Sequence, residues 1–281
     1  MDLTLLKAAL PSIPVVNALP GVRKTGADPS TLHFERVASL DPERVRAYAE
    51  VCGFPLKDTA PLTYPHLLAF PLHMAVMTSP DFPYPAIGSV HLANSITSHR
   101  PVALGETLHV AVSATTPRPH PKGHVVDLVA SATADGEVVW ESTSTYLRRG
   151  LGDRDAAPGG GPVEIPVAGM EWRLPGDLGR RYAAVSGDHN PIHLYPLTAK
   201  ALGFPRQIAH GMWSLARCVA AVENRLPDAV TVEVAFKKPI LLPGSVGFGV
   251  STHDDGLAFA LTSPEDGAPH VVGRTSAASG A

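Results

Sequence analysis

One short string occurs twice in this chain. Tyr48-Ala49-Glu50-Val51-Cys52-Gly53-Phe54 returns far downstream as Tyr182-Ala183-Ala184-Val185-Ser186-Gly187-Asp188, and each copy closes an amphipathic helical pattern that begins near Asp41 or Asp177. A second pair follows in the same order. His99-Arg100-Pro101-Val102-Ala103-Leu104-Gly105-Glu106 is echoed by Lys237-Lys238-Pro239-Ile240-Leu241-Leu242-Pro243-Gly244-Ser245, with Pro101 and Pro239 almost as far apart as Tyr48 and Tyr182. Two echoes in one order at nearly one offset constrain the chain to two copies of one architecture. Its 281 residues suit two domains that each bury a core. Between the copies, Gly150 to Pro162 carries Gly159-Gly160-Gly161 and two prolines and has no periodicity, the composition of a linker. The expected organisation is therefore an N-terminal module over 1–150, a connector over 151–162 and a C-terminal module over 163–281.

Each module reads as a helical segment, a loop, an almost wholly apolar helix and a run of strands. The first set of strands is expected at Ser89–Ser98, Thr107–Thr116, His124–Ala134 and Val138–Arg148; the second at Ala229–Lys237, Val246–Thr252, Leu257–Thr262 and His270–Ala277. Asp135-Gly136 and Asp254-Asp255-Gly256 supply hairpin chemistry. His210–Glu223 is the clearer apolar helix, with Arg217 and Glu223 its only charges, and Pro71–Thr78 is its expected counterpart. An apolar helix must be covered on most sides, so an antiparallel sheet curled around it is expected in each module. The alternative is an ordinary two-layer α+β domain.

Charge excludes some partners. Lys plus Arg number 23 against 26 for Asp plus Glu, so no basic excess exists to neutralise nucleic-acid phosphates or an anionic membrane. The apolar runs around Leu67–Met77 and Met212–Val222 fall short of a membrane span. Met1 to Leu10 lacks the pattern of a secretory leader, and a soluble, cytoplasmic protein is the expectation. Cys52 and Cys218 lie in apolar helical patterns and read as reduced, buried thiols.

Chemistry concentrates in Ser186-Gly187-Asp188-His189-Asn190-Pro191-Ile192-His193. Gly187 and Asn190-Pro191 break the helix, so Asp188 and His193 fall on a rigid turn from which both side chains reach one cleft. A carboxylate and an imidazole so placed hold a water between them and move its protons. Plainer readings exist: an aspartate after glycine caps helices, and a single histidine is commonly a satisfied polar group. His189 and His193 share helical spacing for a metal, but Pro191 interrupts the helix and no third ligand is near in sequence. Downstream, Ile208-Ala209-His210-Gly211-Met212 opens the apolar helix, where the Gly211 amide, backed by the helix dipole, makes an oxyanion site. Tight packing is the other account of that glycine.

At these residues the chain resembles the MaoC-like, hydratase-2 family of hotdog proteins. Its signature, a Tyr or Phe followed shortly by Ser-Gly-Asp-x-Asn-Pro-hydrophobic-His, is met from Tyr182 to His193, and its His-Gly-Met is met at His210-Gly211-Met212. The resemblance implies a tandem double hotdog of the α+β class. It implies a hydro-lyase that adds water to trans-2-enoyl thioesters, or dehydrates (R)-3-hydroxyacyl thioesters, in fatty-acyl metabolism, without metal or other cofactor. It implies that Asp188 and His193 form the catalytic dyad, with His193 as base toward water and Asp188 as proton donor to C2. The Gly211 amide binds the thioester oxygen, and Asn190 braces the loop. The partner is an acyl-CoA or acyl-carrier-protein thioester.

The first copy lacks these features. Phe54 stands where Asp188 stands, no histidine follows at the matching distance, and aligning Leu68–Leu72 with Ile208–Met212 puts Pro71, which has no amide hydrogen, opposite Gly211. The N-terminal module is therefore expected to be non-catalytic and to shape an acyl pocket. Two rival readings are an acyl-thioester hydrolase, disfavoured by the Asp-x-Asn-Pro-x-His loop, and a non-catalytic acyl-binding module. Lys237, Lys238, Arg206 and Arg100 suit either solvated surface or a phosphate. Monomer and homodimer are both open.

Overall fold

The computed structural model of the chain describes residue 24 and residues 28–278, except 87, 158 and 160. The stretch read for a leader, residues 1–10, lies outside the described residues. Along the chain run β1 (His33–Ser39), α1 (Pro42–Cys52), α2 (Pro65–Thr78), β2 (Ser89–Ser98), β3 (Thr107–Ala114), β4 (Arg118–His120), β5 (Gly123–Ala134) and β6 (Glu137–Arg149). They are followed by β7 (Ala168–Leu174), α3 (Leu178–Ser186), α4 (Pro196–Ala201), α5 (Gly211–Val222), β8 (Val230–Phe236), β9 (Gly244–His253), β10 (Gly256–Thr262) and β11 (Pro269–Ala277). By contacts the chain divides into two compact units. The first takes the chain up to Ala38 with Pro65–Asn94 and Leu108–Gly160; the second takes Ser39–Tyr64, Ser95–Thr107 and Gly161–Ala281. The architecture is the expected double hotdog, an antiparallel sheet with a central apolar helix occurring twice.

In the first unit the strands run in the order β1–β3–β5–β6–β2, with β4 on β5. The β5–β6 hairpin turns at Asp135 and Gly136, whose φ of 51° and 86° are the positive angles a two-residue turn demands. The central helix α2 starts at Pro65, upstream of the expected Pro71, and Pro71 lies inside it. Proline at the first helical position lacks only a hydrogen that would have had no partner there. One face of α2 buries His66 and His73, whose rings meet edge to face at 5.2 Å. His73 is fully buried and neither ring nitrogen is hydrogen-bonded. Burial, with His66 and His91 nearby, holds its pKa well below 6.5.

In the second unit the order is β8–β11–β10–β9–β7. Here the internal repeat becomes visible as geometry. α1 and α3 both end on a left-handed glycine, Gly53 at φ 80° and Gly187 at φ 76°, whose amides donate to Ala49 and Ala183 at 2.7 and 2.9 Å. Equivalent residues of the two copies also touch: Tyr48 and Tyr182 pack with ring centroids 6.3 Å apart, and the hydroxyls of Thr97 and Thr231 hydrogen-bond at 3.0 Å. The second echo straps the chain leading toward each central helix. Ala60 and Ala209 donate to Val102 and Ile240, while Leu104 and Leu242 donate back to Asp58 and Gln207, all at 2.9 Å. This equivalence of Ala60 with Ala209 is what displaces the sequence alignment of Pro71 with Gly211. Three more residues intervene in the first copy, so its central helix begins at Pro65 where the other begins at Gly211, and that helix start is still without an amide hydrogen.

α5 carries the apolar face expected of it, with Met212, Trp213, Leu215, Ala216, Cys218, Val219 and Val222 buried. Its Trp213 indole donates to the Val51 carbonyl of α1 at 3.1 Å. Both cysteines are buried and free of disulfides, and burial pushes their thiols up. Among the described residues no helix is long and apolar enough to cross a membrane.

Two outcomes follow from this packing. A fragment of residues 163–281 loses α1, leaving the Tyr182 ring and the Trp213 N–H uncovered, the latter alone worth roughly 1–3 kcal/mol; it should aggregate or lack near-ultraviolet dichroism, and a folded, soluble fragment would contradict the packing described. Stability should also fall on acidification. Below pH 6.5 the unfolded chain binds protons that buried His73 refuses, at about 1.4 kcal/mol per pH unit until its lowered folded pKa is reached. Melting temperatures of His73→Phe should accordingly decline less between pH 6.5 and 5 than those of the native chain.

Candidate active site

Gly187 ends α3, and the chain then turns sharply. The Asn190 amide donates to Asp188 Oδ1 at 3.1 Å, and the Asn190 side chain caps the 3₁₀ turn Pro191–His193 by accepting from the Ile192 amide. Asn190 thus enters the turn through two backbone hydrogens, its own and that of Ile192. Gly179 of α3 lies against this turn so closely that a methyl group there would overlap the His193 carbonyl. No larger residue fits without moving the histidine.

His193 Nδ1 lies 2.8 Å from the carbonyl of Ile208. A carbonyl only accepts, so Nδ1 carries the hydrogen and Nε2 presents a lone pair. The same reasoning applies to His210, the residue before α5. Its Nε2 meets the backbone carbonyl of Asp188 at 3.0 Å and is the donor, which leaves Nδ1 a bare acceptor, buried and unbonded. The two imidazoles stack with centroids 3.7 Å apart and planes 25° apart, and Tyr182 packs on His210 at 4.9 Å. Asp188 Oδ2 lies 3.8 Å from His210 Nε2. One polar atom from each of Asp188, His193 and His210 falls within 4.8 Å of the others. The His210 side chain is 2% exposed and that of Asp188 29%, so the carboxylate is the part open to solvent.

Burial alone would raise the Asp188 pKa, but His210, His193 and the Asn190 amide outweigh it and hold the group below 3.8, an ionised carboxylate. Burial lowers His193 below 6.5 against the opposing pull of Asp188 and of the Ile208 carbonyl. His210 is pushed down to about 3 by burial and then by His193. Both imidazoles are neutral at neutral pH, and the approach of His210 to the Asp188 carboxylate is a dipole contact rather than an ion pair. The expected proton donor, Asp188, holds no proton at rest.

Gly211 is the first residue of α5, and the first helical bond there runs from Ser214 to His210, so the Gly211 amide is outside the helix ladder. Its Cα faces the Phe236 ring, which a methyl group would approach to 3.2 Å. Asp188, His193 and His210 would also serve as a metal donor set by proximity. Their geometry fits poorly, because stacked rings send their lone pairs side by side instead of onto one point, and one nitrogen of each ring is held by a carbonyl. His189 is exposed and outside the cluster. His210 and Gly179 were missed as site residues by the sequence reading. The first stood in the quoted string beside Gly211; the second had no local signal.

Comparison with known proteins agrees in kind. Residues 164–261 match the MaoC-like domain. Over 258 residues, 91% of this chain and 92% of the relative, the sequence is 39% identical to 3-hydroxyacyl-thioester dehydratase X of Mycobacterium tuberculosis. The crystal structure of HtdX from that organism superposes with a TM-score of 0.76 at 38% identity, covering 87% of this chain and all of that one. A MaoC-like dehydratase from Phytophthora capsici superposes at 0.74 with 19% identity, over 89% and 96% of the two chains, a likeness of fold.

The tautomers are directly measurable. Nitrogen-15 spectra of the imidazoles should show His193 protonated on Nδ1 and His210 on Nε2 at pH 7, with His210 failing to titrate down to pH 4. Gly179→Ala should shift the His193 signals and leave those of His73 in place; unchanged His193 signals would mean that α3 does not position it.

Proposed function

The chain belongs to the MaoC-like dehydratase family, and on that premise we propose that it is a hydro-lyase acting on fatty-acyl thioesters. The reaction is reversible addition of water to a trans-2-enoyl thioester to give the (R)-3-hydroxyacyl thioester. The observation that carries this reading is the pairing of a lone pair on His193 Nε2 with an ionised Asp188 beside the start of α5.

Neither group of the dyad holds a spare proton, so the proton that reaches C2 is one the attacking water gives up. In hydration, water between the two groups loses a proton to the dyad, with His193 as the base, while its oxygen bonds to C3. The π electrons of the enoyl bond move toward the thioester carbonyl, whose oxygen becomes an enolate held by the Gly211 amide at the positive end of α5. His193 passes that proton on to Asp188, Asp188 gives it to C2, and the dyad ends as it began. No electrons are gained or lost overall. Asp188 is thus a shuttle and not a standing acid. Residues 1–150 form the non-catalytic module in this reading, 151–162 the connector and 163–281 the catalytic module. Supporting this are Phe54 after the cap glycine of α1, where Asp188 follows that of α3, and Pro65 at the head of α2.

Crotonyl-CoA should lose its enoyl absorbance without release of free thiol; thiol release at the same rate would instead mark a thioester hydrolase. Asp188→Asn and His193→Gln should each lower kcat about 10²- to 10⁴-fold. Gly211→Pro, which removes the amide hydrogen at a position that accepts proline, should cost about 10²- to 10³-fold in kcat. Gly211→Ala, which keeps the hydrogen but crowds Phe236, should cost less, and equal losses would refute the oxyanion role. The acid limb of kcat/KM for hydration should lie below pH 6.5, where the lowered His193 takes up its proton.

A further inference from the structure

The two copies of the repeat differ sharply in one stretch. From the cap glycine to the strapped segment the first copy takes five residues, Gly53 to Asp58, and the second takes twenty, Gly187 to Gln207. The dyad occupies only the opening of that extra length. The remainder, from Leu194 to Arg206, is not required to build the fold, since the first copy reaches the same straps without it. It is mostly exposed.

Its surface has a definite character. Tyr195, Leu197 and Leu202 are 52%, 79% and 40% exposed. Leu197 and Lys200 stand at i and i+3 on α4 and so share a face. The Arg180 guanidinium lies 5.1 Å over the Tyr195 ring and donates to the Leu194 carbonyl. Thr198 Oγ1 donates to the Pro191 carbonyl at 2.7 Å, tying α4 to the catalytic turn. From Leu178 to Gln207 the sequence has four Arg or Lys and one carboxylate, Asp188 of the dyad, in a chain whose net charge is −3. Lys200 and Arg206 make no ion pair among the described residues. By contrast, Arg100, one of the cations that sequence left open, is bound to Glu106.

We propose that the surface of Arg180, Tyr195, Leu197, Lys200, Leu202 and Arg206 docks a small acidic protein that delivers the acyl thioester on a phosphopantetheine arm. The inference rests on the reaction proposed above and names how its substrate is presented. Acyl-CoA offers phosphates to the cations but little apolar surface for Leu197 and Leu202. An acidic protein with an apolar helix face covers both, and positive and negative surfaces so matched govern encounter and register. Apolar side chains among cations beside a catalytic turn match that partner in both respects.

The test compares crotonyl-CoA with a crotonyl-loaded, acidic acyl carrier protein. The double variant Lys200→Glu/Arg206→Glu should lower kcat/KM for the carrier thioester, relative to CoA, about tenfold or more. Leu197→Ser should lower the same ratio. Lys122→Glu, exposed on a turn of the first unit, should leave it as in the native chain. Raising salt should depress the carrier reaction more than the CoA reaction. A ratio unmoved by the double variant, or equal losses on both thioesters, overturns the docking surface. Failure of the native chain to hydrate either thioester would refute the reaction instead. Titration of the unloaded carrier against the native chain and the double variant then decides the docking by itself: weaker binding to the variant supports it, and equal or absent binding overturns it.

Discussion

The hydrogen bond from His193 to the Ile208 carbonyl is the contact on which the site depends. Ile208 holds the Asp188–His193 turn from both sides, because its amide also donates to the Ile192 carbonyl at 3.0 Å. The same residue bridges to Leu241, so the turn is anchored to the strap that carries the second echo of the repeat. A ring held by one nitrogen has its other nitrogen defined in both direction and protonation. The fold supplies that definition by itself.

His210 applies the same device in reverse. Its hydrogen goes to the Asp188 backbone and its ring lies flat on that of His193, so the loop and the second imidazole are fixed by one side chain that carries no charge of its own. A protonated His210 would repel a protonated His193. Burial deep enough to push His210 down to about 3 removes that conflict, with its Nδ1 left buried and unbonded.

Much of this was legible in the residues. The eight expected strands correspond to β2, β3, β5, β6 and β8 to β11 with ends shifted by a few residues, because alternation and Asp-Gly turns are local signals. β1, β4 and β7 were not read. β7, Ala-Gly-Met-Glu-Trp-Arg-Leu, is a strand with one partner, β9, and buries only Trp172 and Leu174, so its pattern is too sparse to announce it. α4 escaped because a helix so short carries no periodicity. The start of α2 was misplaced since Pro71 looked like a helix boundary, whereas its neighbours on α2 hold the helix through it. Of the candidate site, Asp188, Asn190 and His193 stood in one string, and Gly211 in another. Gly179 did not, because its importance lies in how near one helix passes to a turn that the sequence places well beyond it.

The paired threonines at 97 and 231 bear on how such a chain is free to change. Where two identical polypeptides meet about a two-fold axis, a residue on that axis faces its own twin, and only self-compatible groups, such as two hydroxyls, are tolerated. Joining the copies in one polypeptide lifts that restriction, since either threonine can be replaced without the other. The same release lets one copy keep a long loop with its carboxylate and imidazole while the other shortens it to a brief link, an asymmetry no assembly of like subunits could encode.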